Sequence, residues 1–134
     1  MRMARIWAEN SYCERRQVGA LIVRGDAIIS DGYNGTPSGF ENICEDENNK
    51  TKPYVLHAEA NAIISASRNE CIGGDLYLAG HDARTGEILH DATSCSMCRR
   101  MIINAGIRRV VIRNTREEFT VVPVQNWINE DDTI

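Results

Sequence analysis

The fold is decided by HAEANAI at residues 57–63 and by CSMC at residues 95–98. The first stretch is rich in good helix formers and predicts a helix that begins at or near His57. A second helix is predicted from Cys95 to Ala105, where Gly106 ends it. If the N-termini of these two helices face one point, the polar side chains of both stretches meet there. Helix N-termini favour anions, so thiolates at this point would be stabilised.

The two stretches also supply one imidazole and two thiols at the spacing of metal ligands. His57, Cys95 and Cys98 can hold zinc and leave the fourth tetrahedral position to water, as catalytic zinc sites require. Two thiolates and a neutral histidine cancel the two positive charges of the metal, and zinc lowers the pKa of bound water to about 7. Glu59 is not a ligand, so it can carry the proton of that water. A structural site closed by a fourth ligand is the alternative, and it would leave Glu59 without a role.

The spacing of these residues matches the H-x-E and P-C-x-x-C signature of zinc-dependent nucleobase deaminases. Over roughly Ser11 to Ile112 the chain resembles deoxycytidylate (dCMP) deaminases more specifically. The resemblance is carried by RQVGA at 16–20, GYNGTPSG at 32–39, HAEANAI at 57–63 and MIINAGI at 101–107.

The resemblance implies a three-layer α/β/α cytidine deaminase-like fold with a central mixed sheet of about five strands. It also implies hydrolysis of dCMP to dUMP and ammonia, which supplies the precursor for thymidylate synthesis. By position, Asn34 should contact the sugar, and the backbone around Ala58 and Ser94 should contact the polar edge of the pyrimidine. Arg68 resembles the phosphate contact of the family, and Arg116 falls near the other end of the expected phosphate pocket.

Three features depart from the pattern of the family. Ser94 replaces the usual proline, and its hydroxyl could cap the helix that follows. A second, structural zinc occurs in some relatives, and Cys13 and Cys44 stand at plausible positions for it, although a full set of four ligands is not visible. The segment from Gly80 to Ala92 is longer than the expected tight turn. It carries His81 and His90, which could contribute a ligand but are expected to be solvated.

Hydrophobic periodicity divides residues 1–134 into alternating strands and helices of one α/β domain. A first helix is predicted over about Arg2–Glu14, and Gly25 marks a hairpin turn between two strands. The elements then follow in the order ββαβαβ. The predicted strands are Val18–Val23, Ala27–Tyr33, Asp75–Ala79 and Ile107–Ile112, with a polar loop over Asn34–Pro53.

Composition limits the possible partners and location. The formal net charge of -4 argues against broad nucleic-acid binding, and no apolar run approaches the roughly 20 residues that span a bilayer. Five cysteines, two at ligand spacing, fit a reducing compartment better than a disulfide framework, so a cytoplasmic protein is expected. Cys71 should be a buried hydrophobe, and Trp7 and Trp127 should be core or interface residues.

The resemblance further implies regulation and assembly. Many dCMP deaminases respond to dCTP and dTTP, for which Arg15 or Arg16 is a candidate contact, although such arginine pairs are usually solvated. Relatives form dimers or hexamers, so a homo-oligomer is expected. Two alternative functions stay open at this point. One is deamination of another cytosine-type nucleoside, nucleotide or nucleic-acid base, and the other is a non-catalytic zinc-containing nucleotide sensor.

Overall fold

The computed structural model describes residues 2–89, 94–115 and 117–130. These residues form a five-stranded sheet with helices on both of its faces. The helices are α1 (Arg2–Ala8), α2 (Ala58–Ile64), α3 (Arg68–Cys71), α4 (Ser96–Ala105) and α5 (Val124–Glu130). The strands are β1 (Arg16–Arg24), β2 (Ala27–Tyr33), β3 (Asp75–Asp82), β4 (Arg109–Arg113) and β5 (Phe119–Pro123). No helix in the described part of the chain is both long and apolar enough to cross a bilayer.

The first two strands form the hairpin that the sequence predicts. Arg24 of β1 lies opposite Ala27 of β2, so Gly25 and Asp26 alone make the turn. Both turn residues have positive φ angles, 56° and 64°. Two such residues give a turn whose twist matches that of the flanking strands, and glycine adopts this conformation at no steric cost.

The strands lie in the order β2-β1-β3-β4-β5. β1 is antiparallel to both of its neighbours, β3 and β4 are parallel, and β5 is antiparallel to β4. Because β1 and β3 run in opposite directions, the start of β1 lies where β3 ends, with Arg16 opposite Asp82. The predicted mixed α/β sheet of about five strands is therefore confirmed.

The two faces of the sheet are covered by different helices, since successive residues of a strand point to opposite faces. On one face, Leu21 and Ala79 pack with Ala4 of α1, and Trp7 packs partly against them. The opposite face carries the main core with α2, α4 and α5, which confirms the three layers. Its buried members are Ala20, Ile22, Ala58, Ala62, Cys71, Leu76, Leu78, Ile102, Ala105, Ile107, Val110, Ile112, Val124 and Trp127.

Close contact between α2 and β2 fixes the position of the helix that begins at His57. A Cβ atom added at Gly32 would lie 2.5 Å from the backbone nitrogen of Ala62 and 2.6 Å from the carbonyl oxygen of Ala58. On the same face, the Ser30 hydroxyl donates a 2.6 Å hydrogen bond to the carbonyl of Ala62. The absence of a side chain at Gly32 therefore lets α2 lie directly on the strand.

Several boundaries differ from the prediction because of tertiary contacts. α1 ends at Ala8 and not at Glu14. The Ser11 hydroxyl instead donates to the carbonyl of Asn34 at 2.9 Å, and the Tyr12 hydroxyl pairs with the Thr36 hydroxyl at 2.7 Å. These bonds hold residues 11–12 to the long loop after β2 and draw the backbone out of a helix.

The polar excursion predicted from Gly80 is partly a turn that returns to the sheet. β3 continues through Asp82, and the Asp82 amide donates to the carbonyl of Glu87 at 2.8 Å. The Leu89 amide then donates to the carbonyl of Gly80 at 3.0 Å. We call residues 87–89 the return segment. It pairs with β3 at a bridge between His81 and Ile88.

Candidate metal centre and active-site pocket

The three predicted metal ligands lie together at the N-termini of two helices. His57 is the N-cap of α2 and Cys95 is the N-cap of α4, both with extended backbone, and Cys98 lies in the first turn of α4. The Sγ atoms of Cys95 and Cys98 are 3.4 Å and 3.3 Å from Nδ1 of His57. Neither N-cap side chain caps its own helix. Both instead face the same point, so the predicted convergence is confirmed.

The surroundings of Cys98 indicate that a cation is needed between the three ligand side chains. Burial raises the pKa of the Cys98 thiol well above its usual range, and Glu59 and Cys95 beside it raise the pKa further. Ionising this thiol therefore requires a cation in contact with it. Zn²⁺ supplies two positive charges and prefers imidazole and thiolate ligands. The donor set fits zinc.

The number of ligands separates a catalytic site from a closed structural site. Ligand atoms of His57, Cys95 and Cys98 all lie within 4.8 Å of one another. Within residues 2–89, 94–115 and 117–130, this convergent group has three members. Three protein ligands leave one tetrahedral position for water, which is the arrangement of catalytic zinc sites.

Glu59 lies in the pocket that contains the metal ligands. The residue is 5% exposed, and its carboxylate lies close enough to the Cys98 thiol to raise the pKa of that thiol. The pocket has a volume of about 330 Å³. Its lining combines two of the three metal ligands with polar and apolar side chains from several parts of the chain: Cys13, Arg16, Val18, Asn34, Cys44, Glu45, Thr51, Val55, His57, Ala58, Glu59, Leu78, Leu89 and Cys95.

Arg16 and Asn34 lie on the wall of this pocket and are joined to each other. The Asn34 amide nitrogen donates to the carbonyl of Arg16 at 2.8 Å, and its amide oxygen accepts from the backbone N–H of Val18 at 2.9 Å. Asn34 thus fixes the first residues of β1 as well as lining the pocket. Arg16 is the one arginine among the described lining residues.

Of the two residues whose backbone was predicted to contact the pyrimidine, Ala58 is among the described lining residues of the pocket and Ser94 is not. Ala58 lines the pocket as the first residue of α2. Ser94 is 2% exposed and is absent from the described lining, and its carbonyl accepts a 3.0 Å hydrogen bond from Nε of Arg99. The expectation that the Ser94 hydroxyl caps α4 is wrong, because Cys95 is the N-cap and the hydroxyl has no hydrogen-bond partner among the described residues.

Arg68 lies away from the pocket that it was expected to line. It begins α3, and its Nε donates to the carbonyl of Asn104 at 3.1 Å. It lines a separate hollow between α2, α3 and α4. Arg116, the other predicted phosphate contact, lies outside the described residues.

Cys13 and Cys44 are joined by a disulfide bond. The prediction that this chain lacks a disulfide framework is therefore wrong for this pair. The ligand atoms of Cys13, Cys44 and Glu45 lie within 4.8 Å of one another. A second metal would need the reduced thiolates, however, so disulfide and metal exclude each other. Glu45 is buried, and its carboxylate accepts the backbone N–H groups of Glu14 and Arg15 at 2.8 Å and 3.0 Å.

His81 is not the solvated loop residue that the sequence suggested. It belongs to β3, is 4% exposed, and its Nε2 lies 2.6 Å from the side-chain oxygen of Gln17. Burial lowers the pKa of His81. His90 lies outside the described residues.

Sequence reasoning missed the apolar wall of the pocket. Val18, Leu78 and Leu89 line it together. Val18 lies in β1 and Leu78 lies in β3. Because successive residues of a strand point to opposite faces of the sheet, their positions along the strands could have predicted that they share a face. Leu89 had no such signal, because only the pairing of the return segment with β3 brings it there.

Comparisons with known proteins agree with this geometry. Residues 1–114 match the family described as the cytidine and deoxycytidylate deaminase zinc-binding region. The chain is 30% identical over 118 residues to the deoxycytidylate deaminase of Mycobacterium phage D29, which covers 78% of this chain and 83% of that protein. It is 35% identical to the dCMP deaminase of cyanophage S-TIM5 solved in complex with dCMP and dUMP, with a TM-score of 0.69, covering 85% of this chain and 77% of that one.

Other relatives are much longer than this chain. The deoxycytidylate deaminase of Schizosaccharomyces pombe is 34% identical over 122 residues, which make up 83% of this chain but 34% of that protein. This chain thus spans about a third of that relative. The family match over residues 1–114 includes both ligand stretches and the elements from α1 to β4. The chain therefore belongs to the cytidine and deoxycytidylate deaminase family with its zinc-binding region.

Proposed function

We propose that the protein is a zinc-dependent hydrolase that converts dCMP to dUMP and ammonia. The observation that carries this proposal is a buried carboxylate, Glu59, beside three zinc ligands in a pocket whose wall also bears Arg16. The names of the relatives support it, as does the dCMP and dUMP complex of the cyanophage enzyme.

In this proposal His57, Cys95 and Cys98 hold the zinc ion. Zinc bound in this way makes a coordinated water acidic near neutral pH. The two helix N-termini favour the thiolate forms of Cys95 and Cys98. The buried position of Cys98 keeps bulk water away from this side of the metal.

Glu59 is the proposed proton carrier. Its carboxylate would take one proton from the attacking water and give it to the ring nitrogen, and then pass the second proton of that oxygen to the amino group. The carbon–nitrogen bond then breaks, ammonia leaves, and the oxygen becomes the carbonyl of the product. Because Glu59 is buried in a site of low dielectric constant, its interactions with developing charge are stronger than they would be in water. Glu59 lies beside the metal ligand Cys98, whose pKa it raises.

The rest of the pocket is assigned to the other parts of the nucleotide. Val18, Leu78 and Leu89 offer an apolar wall for the pyrimidine ring, and the backbone at Ala58 is placed to meet its polar edge. We assign the phosphate to Arg16, because a planar guanidinium can donate two parallel hydrogen bonds to it.

Asn34 is assigned to the sugar. Both ends of its side-chain amide already bond to the β1 backbone, through the carbonyl of Arg16 and the N–H of Val18. One hydrogen of its NH₂ group is left for a sugar hydroxyl, since an amide nitrogen has two to donate. In this assignment Asn34 contacts the sugar and also positions Arg16.

Assembly, regulation and location complete the proposal. We propose a homo-oligomer, because Ile64 and Met97 are large apolar side chains on α2 and α4 that are 66% and 57% exposed. We propose a cytoplasmic location because Cys95 and Cys98 must stay reduced to bind metal, although the Cys13–Cys44 disulfide is unusual for a reducing compartment. Control by dCTP or dTTP follows from the family resemblance.

The test is ammonia release from dCMP, CMP, deoxycytidine and cytidine, with the zinc content measured on the same preparation. We expect preference for dCMP at about one zinc per chain, the number that one catalytic site holds. Glu59→Gln should keep zinc but lose hydrolysis, while Glu87→Gln, at an exposed position outside the described pocket lining, should change neither. Preference for the nucleosides would contradict the phosphate assignment. Zinc binding without turnover on all four would contradict the enzyme.

A further inference from the structure

A second hollow lies on the face of the sheet that α1 covers, and we call it the α1 hollow. Its volume is about 320 Å³, which is within the range of small-molecule sites. Among the described residues, none that lines it also lines the zinc pocket. The lining residues are Arg2, Arg5, Ile6, Glu9, Gly86, Ile88 and Arg113.

The charge of the α1 hollow is opposite to that of the chain. Its described lining residues carry three guanidinium groups and one carboxylate, whereas the chain has a formal net charge of -4. The carboxylate belongs to Glu9 and pairs with Arg5 at 2.7 Å. A concave surface with this excess of positive charge attracts anions.

The groups around the α1 hollow also restrict the kind of anion. Guanidinium forks match the geometry of phosphate oxygens. The Nε of Arg113 donates a 3.1 Å hydrogen bond to the carbonyl of Thr115. Because this bond already orders the side chain, Arg113 loses less conformational entropy when an anion binds. Ile6 and Ile88 add apolar surface, which a larger organic group attached to the phosphate could cover.

We propose that the α1 hollow binds a small phosphate-bearing anion, separately from the zinc pocket. The return segment lies between the two cavities: Ile88 lines the α1 hollow, and the next residue, Leu89, lines the zinc pocket. An anion bound in the α1 hollow would therefore contact the segment that forms one wall of the zinc pocket.

The first measurement is calorimetric titration of the zinc-loaded protein with inorganic tripolyphosphate, with zinc content checked before and after. We expect one tripolyphosphate per chain. Arg5→Gln should weaken binding by about tenfold or more, because it removes a charge-assisted hydrogen bond. Glu9→Gln should strengthen binding, because it removes the negative group found among the described lining residues. Added salt should weaken binding in the wild-type protein.

Two arginine variants serve as controls for these results. Arg84→Gln makes the same charge change on the exposed turn next to the return segment, outside the lining, and should bind like the wild-type protein. Arg16→Gln alters the zinc pocket and should also leave tripolyphosphate binding unchanged. Equal weakening by Arg84→Gln and Arg5→Gln, loss of binding in Arg16→Gln, or no binding by the wild-type protein would each overturn the proposal. Thermal unfolding of every variant shows whether its fold is intact.

Discussion

Replacement of Arg16 by glutamine is expected to reduce the use of dCMP and to leave that of deoxycytidine nearly unchanged. A hydrogen bond from a charged donor to phosphate is worth about 1.5–3 kcal/mol, or roughly a 10- to 150-fold loss in kcat/KM. Arg16 is exposed at the pocket wall, where water and salt screen the contact, so the loss should lie near the lower end of that range, at about 10- to 30-fold. The strand itself should persist, because Asn34 holds the backbone carbonyl of Arg16 and not its side chain.

Arg68→Gln is the matched control for this prediction. Arg68 bonds to the carbonyl of Asn104 and lies outside the zinc pocket, so its loss should affect both substrates equally and weakly. The assay is kcat/KM for dCMP and deoxycytidine with the wild-type protein and both variants. Equal losses on the two substrates in Arg16→Gln would refute the phosphate assignment. A loss confined to dCMP in Arg68→Gln would show that the described pocket is not the one that selects the phosphate.

Three further predictions concern the metal, the packing and the disulfide. Zinc affinity should fall as the pH is lowered, because binding must remove a proton from Cys98, whose pKa is raised by burial. Competition with a chelator at two pH values measures this affinity. The same affinity at both pH values would contradict the prediction. Gly32→Ala should destabilise the fold by about 1–3 kcal/mol in urea unfolding, because its Cβ would lie 2.5 Å from the Ala62 nitrogen; wild-type stability would contradict the close contact. Replacing Cys13 and Cys44 together by serine should cost roughly 3–4 kcal/mol, given their separation of 31 residues, and leave the zinc content of the oxidised protein unchanged. A rise toward two zincs per chain in reduced wild-type protein, absent from the double serine variant, would show that this pair can bind metal instead.

Local signals predicted the elements that carry the ligands. The helix formers after His57, and Gly106 at the end of α4, place α2 and α4 within a residue of their observed starts. Gly106 adopts a left-handed conformation as the C-cap of α4, with φ of 82°. These features depend on the residues in the element itself, and so they can be read from the sequence.

Other elements were missed because their signal is weak or tertiary. β5 is an exposed edge strand, with Phe119 52% exposed and Val121 51% exposed, so it lacks the apolar-polar alternation of a half-buried strand. The short helix α3 had a signal that could have found it, since Ser67 and Glu70 form a capping box. The early end of α1 had none, because Asn34 and Thr36 come from a distant loop.

The direction of each element, more than distance along the chain, decides which arginine reaches the site. α2 begins at the zinc ligands and rises about 1.5 Å per residue away from them, so Arg68, which follows the whole helix, lies at the far end. Arg24, at the end of β1, marks that same far edge, because its guanidinium donates to the carbonyl of Asn69 in α3 at 2.7 Å. Arg16 stands 41 residues before His57 in sequence, yet β1 starts opposite the end of β3, on the edge where α2 and α4 begin. Arg16, which opens β1 at this edge, therefore lines the zinc pocket, whereas Arg68, which follows α2, is not among its described lining residues. Sequence spacing alone does not separate these two cases.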